Sequence, residues 1–90
     1  MSIGPERLEI VNERGLHARA AAKFVKTAEM FEAELTVSKG EMEVSVRSIM
    51  GLMMLAAAKG CSIQVVADGA EAEAAMAAIR DLVGNAFGEE

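Results

Sequence analysis

Four short stretches in which apolar and polar residues alternate are interleaved with three stretches of helical period, all within 90 residues. Alternation puts every second side chain on one face of a strand, whereas spacings of three and four gather side chains into one stripe of a helix. ERLEIVN (6–12) reads as a first strand with Leu8 and Ile10 on one face. ELTVS (34–38) and EMEVSV (41–46) flank Lys39-Gly40 as a hairpin, and SIQVVAD (62–68) is a fourth strand ended by a turn at Asp68-Gly69. From about Ala18 to Phe31, the positions Ala21, Phe24, Val25 and Ala28 mark an amphipathic helix, with Lys23 and Lys26 off its apolar stripe. SIMGLMMLAAA (48–58) reads as a second helix. Ala72, Ala75, Ile79, Leu82 and Val83 define a third, ending near Gly84 to Gly88. The order β-α-β-β-α-β-α predicts an α+β fold: an open-faced β-sandwich, with one four-stranded antiparallel sheet and three helices on a single face.

A chain of this size builds one core, so residues 1–90 are expected to form a single domain. The net charge is −5, with three Phe and neither Trp nor Tyr. Nucleic-acid binding wants basic faces and stacking rings, so that class is excluded. A lone Cys61 rules out an internal disulfide framework and a multi-cysteine metal site, and reads as a small apolar residue at the start of a strand. No cluster of Cys and His or of paired carboxylates suggests a metal, a cofactor or a hydrolase. No apolar run reaches the roughly 18 residues of a membrane span, and MSIGPERLEI lacks the apolar stretch of a signal peptide. A cytoplasmic protein without membrane insertion is the expectation. Glu71, Glu73, Glu89 and Glu90 read as solvated charge.

The charge is unevenly spread. Arg14, Arg19, Lys23 and Lys26 lie in one short stretch free of acids, so the net −5 divides into +4 there and −9 elsewhere. A basic patch on an acidic body suits an anionic ligand or partner surface. Its centre is the only histidine, in Gly15-Leu16-His17-Ala18-Arg19, where a loop becomes the basic helix. Gly15 permits a sharp turn. The first N–H groups of the helix have no intrahelical partner, and Arg19 adds a fork of donors matched to phosphate oxygens. A neutral imidazole in that setting has a lone pair able to attack phosphorus. The residues by themselves therefore point to an anion-binding, phosphorylatable histidine.

GLHARAAAKFVK, followed by the strand pair and Arg47-Ser48-Ile49-Met50-Gly51-Leu52-Met53, resembles the histidine-containing phosphocarrier (HPr) family of the bacterial phosphoenolpyruvate-dependent phosphotransferase system. The resemblance covers nearly the whole chain. It implies a phosphoryl carrier without turnover chemistry or cofactor, which takes the group from phosphorylated Enzyme I and passes it to an EIIA-type acceptor. His17 matches the histidine phosphorylated on Nδ1, and Arg19 the arginine that contacts the phosphate. Family members usually carry Pro after that arginine. Ala20 stands here instead, restoring one N–H and relaxing the first turn, so altered transfer kinetics are expected.

Ser48 precedes an apolar helical stretch as a helix cap does. The resemblance also makes it the serine phosphorylated by HPr kinase/phosphorylase, and both roles can hold together. Leu52 and Leu55 are expected to face the core, leaving Ile49, Met50 and Met53 turned partly outward as an adaptable apolar surface. By resemblance these three residues, with Ala20, Lys23, Lys26 and Arg47, form the surface that docks Enzyme I and the acceptors, on a chain that works as a monomer. Sugar uptake and a nitrogen-linked regulatory branch both stay open. So do a regulator acting through Ser48 alone, a carrier with a prosthetic arm on Ser48, and a plain interaction domain; the predicted strands and the lack of an Asp-Ser-Leu motif weigh against the prosthetic arm.

Overall fold

In a computed structural model that describes residues 1–89, the elements run β1 (Ser2–Glu9), α1 (Ala18–Ala28), β2 (Glu34–Lys39), β3 (Met42–Ser45), α2 (Ile49–Met54), β4 (Ser62–Asp68) and α3 (Ala72–Gly84). A 3-10 turn follows at Ala86–Gly88. The strands form one antiparallel sheet in the order β1-β4-β2-β3, with Leu8 opposite Ile63, Val37 opposite Val65 and Thr36 opposite Ser45. Alternation decides which face is covered. Leu8, Leu35, Val37, Ile63, Val65 and Ala67 point to the buried side, whereas Glu34 and Gln64 stay on the open one. Over the buried face lie Ala21, Phe24, Val25 and Ala28 of α1, Leu52 of α2, and Ala75, Met76, Ile79 and Val83 of α3. The small alanines let α1 and α3 approach the sheet and each other closely. No helix among the described residues is long and apolar enough to cross a membrane.

Element type follows the sequence period throughout, while several ends move. The first strand begins at Ser2 and stops at Glu9, not 6–12. It lies at a sheet edge, where Pro5 removes no ladder bond that the core needs, and its register shifts between Ile3 and Glu6. The hairpin turn is Gly40-Glu41, one residue later than expected, because Lys39 still pairs with Met42 and Gly40 takes φ +62°. The first helix ends at Ala28, not near Phe31. There the bonds from Met30 N to Thr27 O and Phe31 N to Ala28 O tighten the last turn, and Phe31 folds back against the core. The second helix stops at Met54, not 58. Leu55 and Ala57 both turn inward to be buried, and Ala56 between them takes φ +52°.

Beyond α3 the chain does not leave the body. Phe87 is buried to 1% exposure, with its ring centroid 6.3 Å from that of Phe24 and the planes tilted by 37°. Such pairs add a little to a large burial gain. Phe87→Ala is expected to cost about 3 kcal/mol in chemical denaturation, as cavity-forming Phe→Ala changes do. It is also expected to release residues 86–89 from their place, visible as lost amide protection.

Candidate functional site

Asn12, almost wholly buried, starts the loop that presents the histidine. Its Nδ2 donates to Gly15 O at 2.8 Å, while Gly15 N donates to Asn12 O at 3.2 Å. Gly15 takes φ +66°, and a Cβ there would sit 2.4 Å from the Ala57 carbonyl oxygen, so only glycine fits. Leu16 N then donates to that same carbonyl at 2.9 Å, stitching the loop to the segment after α2. His17 follows as the N-cap of α1, with extended backbone (φ −80°, ψ −179°) and its carbonyl accepting from Ala21 N at 2.8 Å. Its imidazole makes no capping bond and faces outward, 24% exposed. Among the described residues Nδ1 has no hydrogen-bond partner.

The other ring nitrogen is occupied. Glu89 Oε2 lies 2.5 Å from His17 Nε2, and Glu89 Oε1 accepts from Asn12 Nδ2 at 3.0 Å. This overturns the reading of Glu89 as solvated charge: its side chain is 17% exposed and belongs to the site. Glu71 and Glu73 stay exposed, Glu71 also accepting from Glu32 N at 2.8 Å, and Glu90 lies outside the described residues. The placement of Glu89 depends on Phe87, whose burial brings the tail back and whose carbonyl accepts from Lys23 Nζ at 2.6 Å. The sequence signal for it was slight: one Phe beyond the last helical turn, in an otherwise small and polar tail.

Arg14, Arg19 and Lys23 line the same open cleft as His17 and Glu89. The N–H groups of Ala18, Arg19 and Ala20 are those that the first turn of α1 leaves without an intrahelical acceptor. A ring nitrogen with a free lone pair, two guanidinium groups and an ammonium in an open cleft can accept and hold a tetrahedral anion. Ala20 corrects an expectation: it is fully buried in the core and offers no docking surface, because the third helical position faces inward beside Ala21 and Phe24.

Ser48 is the N-cap of α2, its Oγ accepting from Gly51 N at 3.0 Å, and the residue is exposed. Ile49, Met50 and Met53 are exposed as expected, Met50 by 68%, and Leu52 and Leu55 are buried. Met54, 65% exposed, belongs to the same apolar surface and was not singled out by the sequence. Since α1 and α2 pack side by side, the lysines and methionines share one helical layer. Lys26 is exposed on that layer, Lys23 is tied to the tail, and Arg47 pairs with Glu34 at the start of β2.

Hydrogen bonds from His17 and then from Asn12 hold the Glu89 carboxyl below the usual carboxylate range; burial opposes them, and the charges of His17 and Lys23 add to them. A carboxyl held low in the folded chain contributes stability above its unfolded value and loses it as pH falls through the folded one. The carboxyl carbon of Glu89 is therefore expected to titrate at lower pH than those of unpaired exposed glutamates, and to move toward their range in His17→Ala while Asn12 and Lys23 still hold it below, as read by NMR. Ser48→Ala removes a cap and is expected to cost about 1 kcal/mol in chemical denaturation.

The phosphotransferase-system family model described as the HPr component phosphorylation site matches residues 6–85. The phosphocarrier protein HPr of Neisseria meningitidis is 51% identical over 93% of this chain and 94% of its own. The phosphocarrier protein NPr of Shewanella violacea is 42% identical over 92% of this chain and 91% of its own. Among solved structures, an HPr from Thermoanaerobacter tengcongensis superposes with a TM-score of 0.89 at 40% identity, covering 100% of this chain and 98% of that one. With the four-stranded sheet, the helical layer and the matched length all in agreement, the chain belongs to the HPr family of phosphocarrier proteins of the phosphotransferase system.

Proposed function

We infer that His17 accepts a phosphoryl group on Nδ1 from phosphorylated Enzyme I and hands it to an EIIA-type protein. The observation that carries this reading is the division between the two ring nitrogens: Nε2 is held by Glu89, and Nδ1 has no hydrogen-bond partner among the described residues, on a ring that shares its cleft with Arg14, Arg19 and Lys23. Arg19, exposed two residues after the histidine and lining the same cleft, contacts the phosphoryl oxygens, with Arg14 beside it. An open cleft suits a carrier, since the group must be lost as readily as it is gained. Ile49, Met50, Met53 and Met54, with Lys23, Lys26 and Arg47 around them, form the docking surface; the lysines steer acidic partners and the methionines adapt to more than one of them. Ser48, exposed at the head of that helix, is the regulatory site for HPr kinase/phosphorylase. A phosphate there adds roughly −1.5 to −2 charge beside the docking surface and weakens acidic partners. Matches bearing both the HPr and the NPr name fit a branch in sugar uptake and one in nitrogen regulation alike.

Incubation with phosphoenolpyruvate and Enzyme I is expected to add one phosphoryl mass to the intact chain, labile in acid, stable in base and absent from His17→Ala. An acid-stable label that persists in His17→Ala and vanishes in Ser48→Ala would replace the relay with a regulator acting through Ser48. A folded chain that gains no mass beside an active, cognate Enzyme I would remove the relay reading.

A further inference from the structure

The grip on Glu89 is tighter than a surface ion pair requires. One carboxylate oxygen is fixed by the amide of buried Asn12, which also donates to Gly15 O, and the other meets Nε2 at 2.5 Å. The chain just before it is pinned by the Phe87 ring in the core and by Lys23 on the Phe87 carbonyl. An acceptor held at two points imposes one tautomer and one orientation on an imidazole, as in nucleophile–base pairs oriented by a third group. We propose that Glu89 is a positioning residue that keeps one hydrogen on Nε2 of His17 through both phosphoryl transfers, so that no proton moves in either step. This deepens the relay reading and rests on it.

The electron count closes without a further reactant. With the hydrogen on Nε2, the Nδ1 lone pair forms the N–P bond while phosphorus parts from the atom of Enzyme I that carried it, which keeps the bonding pair. The His17 ring becomes a phosphorylated imidazolium, still bearing its Nε2 hydrogen, and the Glu89 carboxylate balances the charge. In the second step a lone pair of the EIIA-type acceptor forms the new bond to phosphorus as the P–N bond breaks, its pair returning to Nδ1. The departing ring is then the neutral Nε2–H imidazole that began the cycle. Without the carboxylate the phosphorylated ring sheds the Nε2 hydrogen more readily. Its leaving group would then be an imidazolate, which is a much poorer one.

The other charges around the ring do not share this task. Arg14 from the loop and Arg19 and Lys23 from α1 are cations that line the same cleft and oppose charge on the ring. Glu13, the other acid lining the cleft, is paired with Lys59 at 2.5 Å. Glu89 is the carboxylate in hydrogen-bond contact with His17 among the described residues.

The test uses the chain's single histidine, whose ring nitrogens give one unambiguous set of 15N signals. Glu89→Gln keeps an acceptor for Nε2–H but loses the charge, and Glu89→Ala loses both. In the unphosphorylated, neutral ring, wild type and Glu89→Gln are expected to show one Nε2–H tautomer, with Glu89→Ala drifting toward a mixture. After phosphorylation by Enzyme I, the wild-type ring is expected to hold its Nε2 hydrogen near pH 7. Both variants are expected to give up the Nε2 hydrogen more readily than wild type and to shed the phosphoryl group about tenfold to a hundredfold more slowly, the scale of one charge-assisted hydrogen bond. A tail that merely packs would leave the ring nitrogens unmoved. Identical phosphorylated-ring spectra and identical rates of phosphoryl loss in all three chains overturn the role of Glu89 while leaving the relay intact. A wild-type chain that gains no phosphoryl mass overturns the relay itself, and with it the transfer role assigned to Glu89.

Discussion

The backbone of Gly15 runs against the Ala57 carbonyl with no room for a side chain between them, and the placement of His17 depends on that approach. On one side the contact sets the turn from which Leu16 dives into the core and His17 emerges as a helix cap. On the other it requires the chain after α2 to bend at Ala56 and bring Ala57 inward, which is why that helix is only six residues long. Sheet and helices supply the rigid body, but the site is defined by this crossing of two loops. A glycine at one point and a left-handed alanine at another are local costs that the surrounding core holds in place.

Much of the architecture was legible because its determinants are periodic. Alternation in 62–68 and helical spacing in 72–83 each reflect a buried face, and both survived unchanged. Element ends were less legible because they are set by partners distant in the chain: α2 stops where Ala57 is needed by Leu16, and α1 stops where Phe31 folds back. At the site, His17, Arg19 and Ser48 could be singled out because each stands beside a local signal of glycine, charge or helix start. Glu89 could not. Its role arises from a side chain 72 positions away, and an acidic tail looks the same whether it is solvated or docked. Ala20 failed for the converse reason: its docking role came from the resemblance alone, while the helical period turns it inward beside Ala21.

His17 and Ser48, the two residues proposed to carry a phosphoryl group, sit at the heads of two neighbouring helices of unequal strength. The longer, α1, buries Ala20, Ala21, Phe24, Val25 and Ala28, and is fixed along its length. The shorter, α2, is held by Leu52 and by the single cap that Ser48 provides, with its methionines left outside. A firm platform suits the residue that receives a group in a defined geometry, and a lightly held one suits a surface that meets several partners.

The tie between the tail and the histidine also has a consequence for how the protein is made. The residues that complete the site, Phe87 to Glu89, are synthesised some seventy positions after His17. The first strand likewise waits for the fourth before it can pair. A nascent or truncated chain can therefore carry the whole Gly15-Leu16-His17 sequence while its imidazole stands untethered, its tautomer unset. If His17 is the acceptor proposed above, readiness to take a phosphoryl group follows the docking of residues 87–89, and a product interrupted before them is disarmed without any protease having to recognise it.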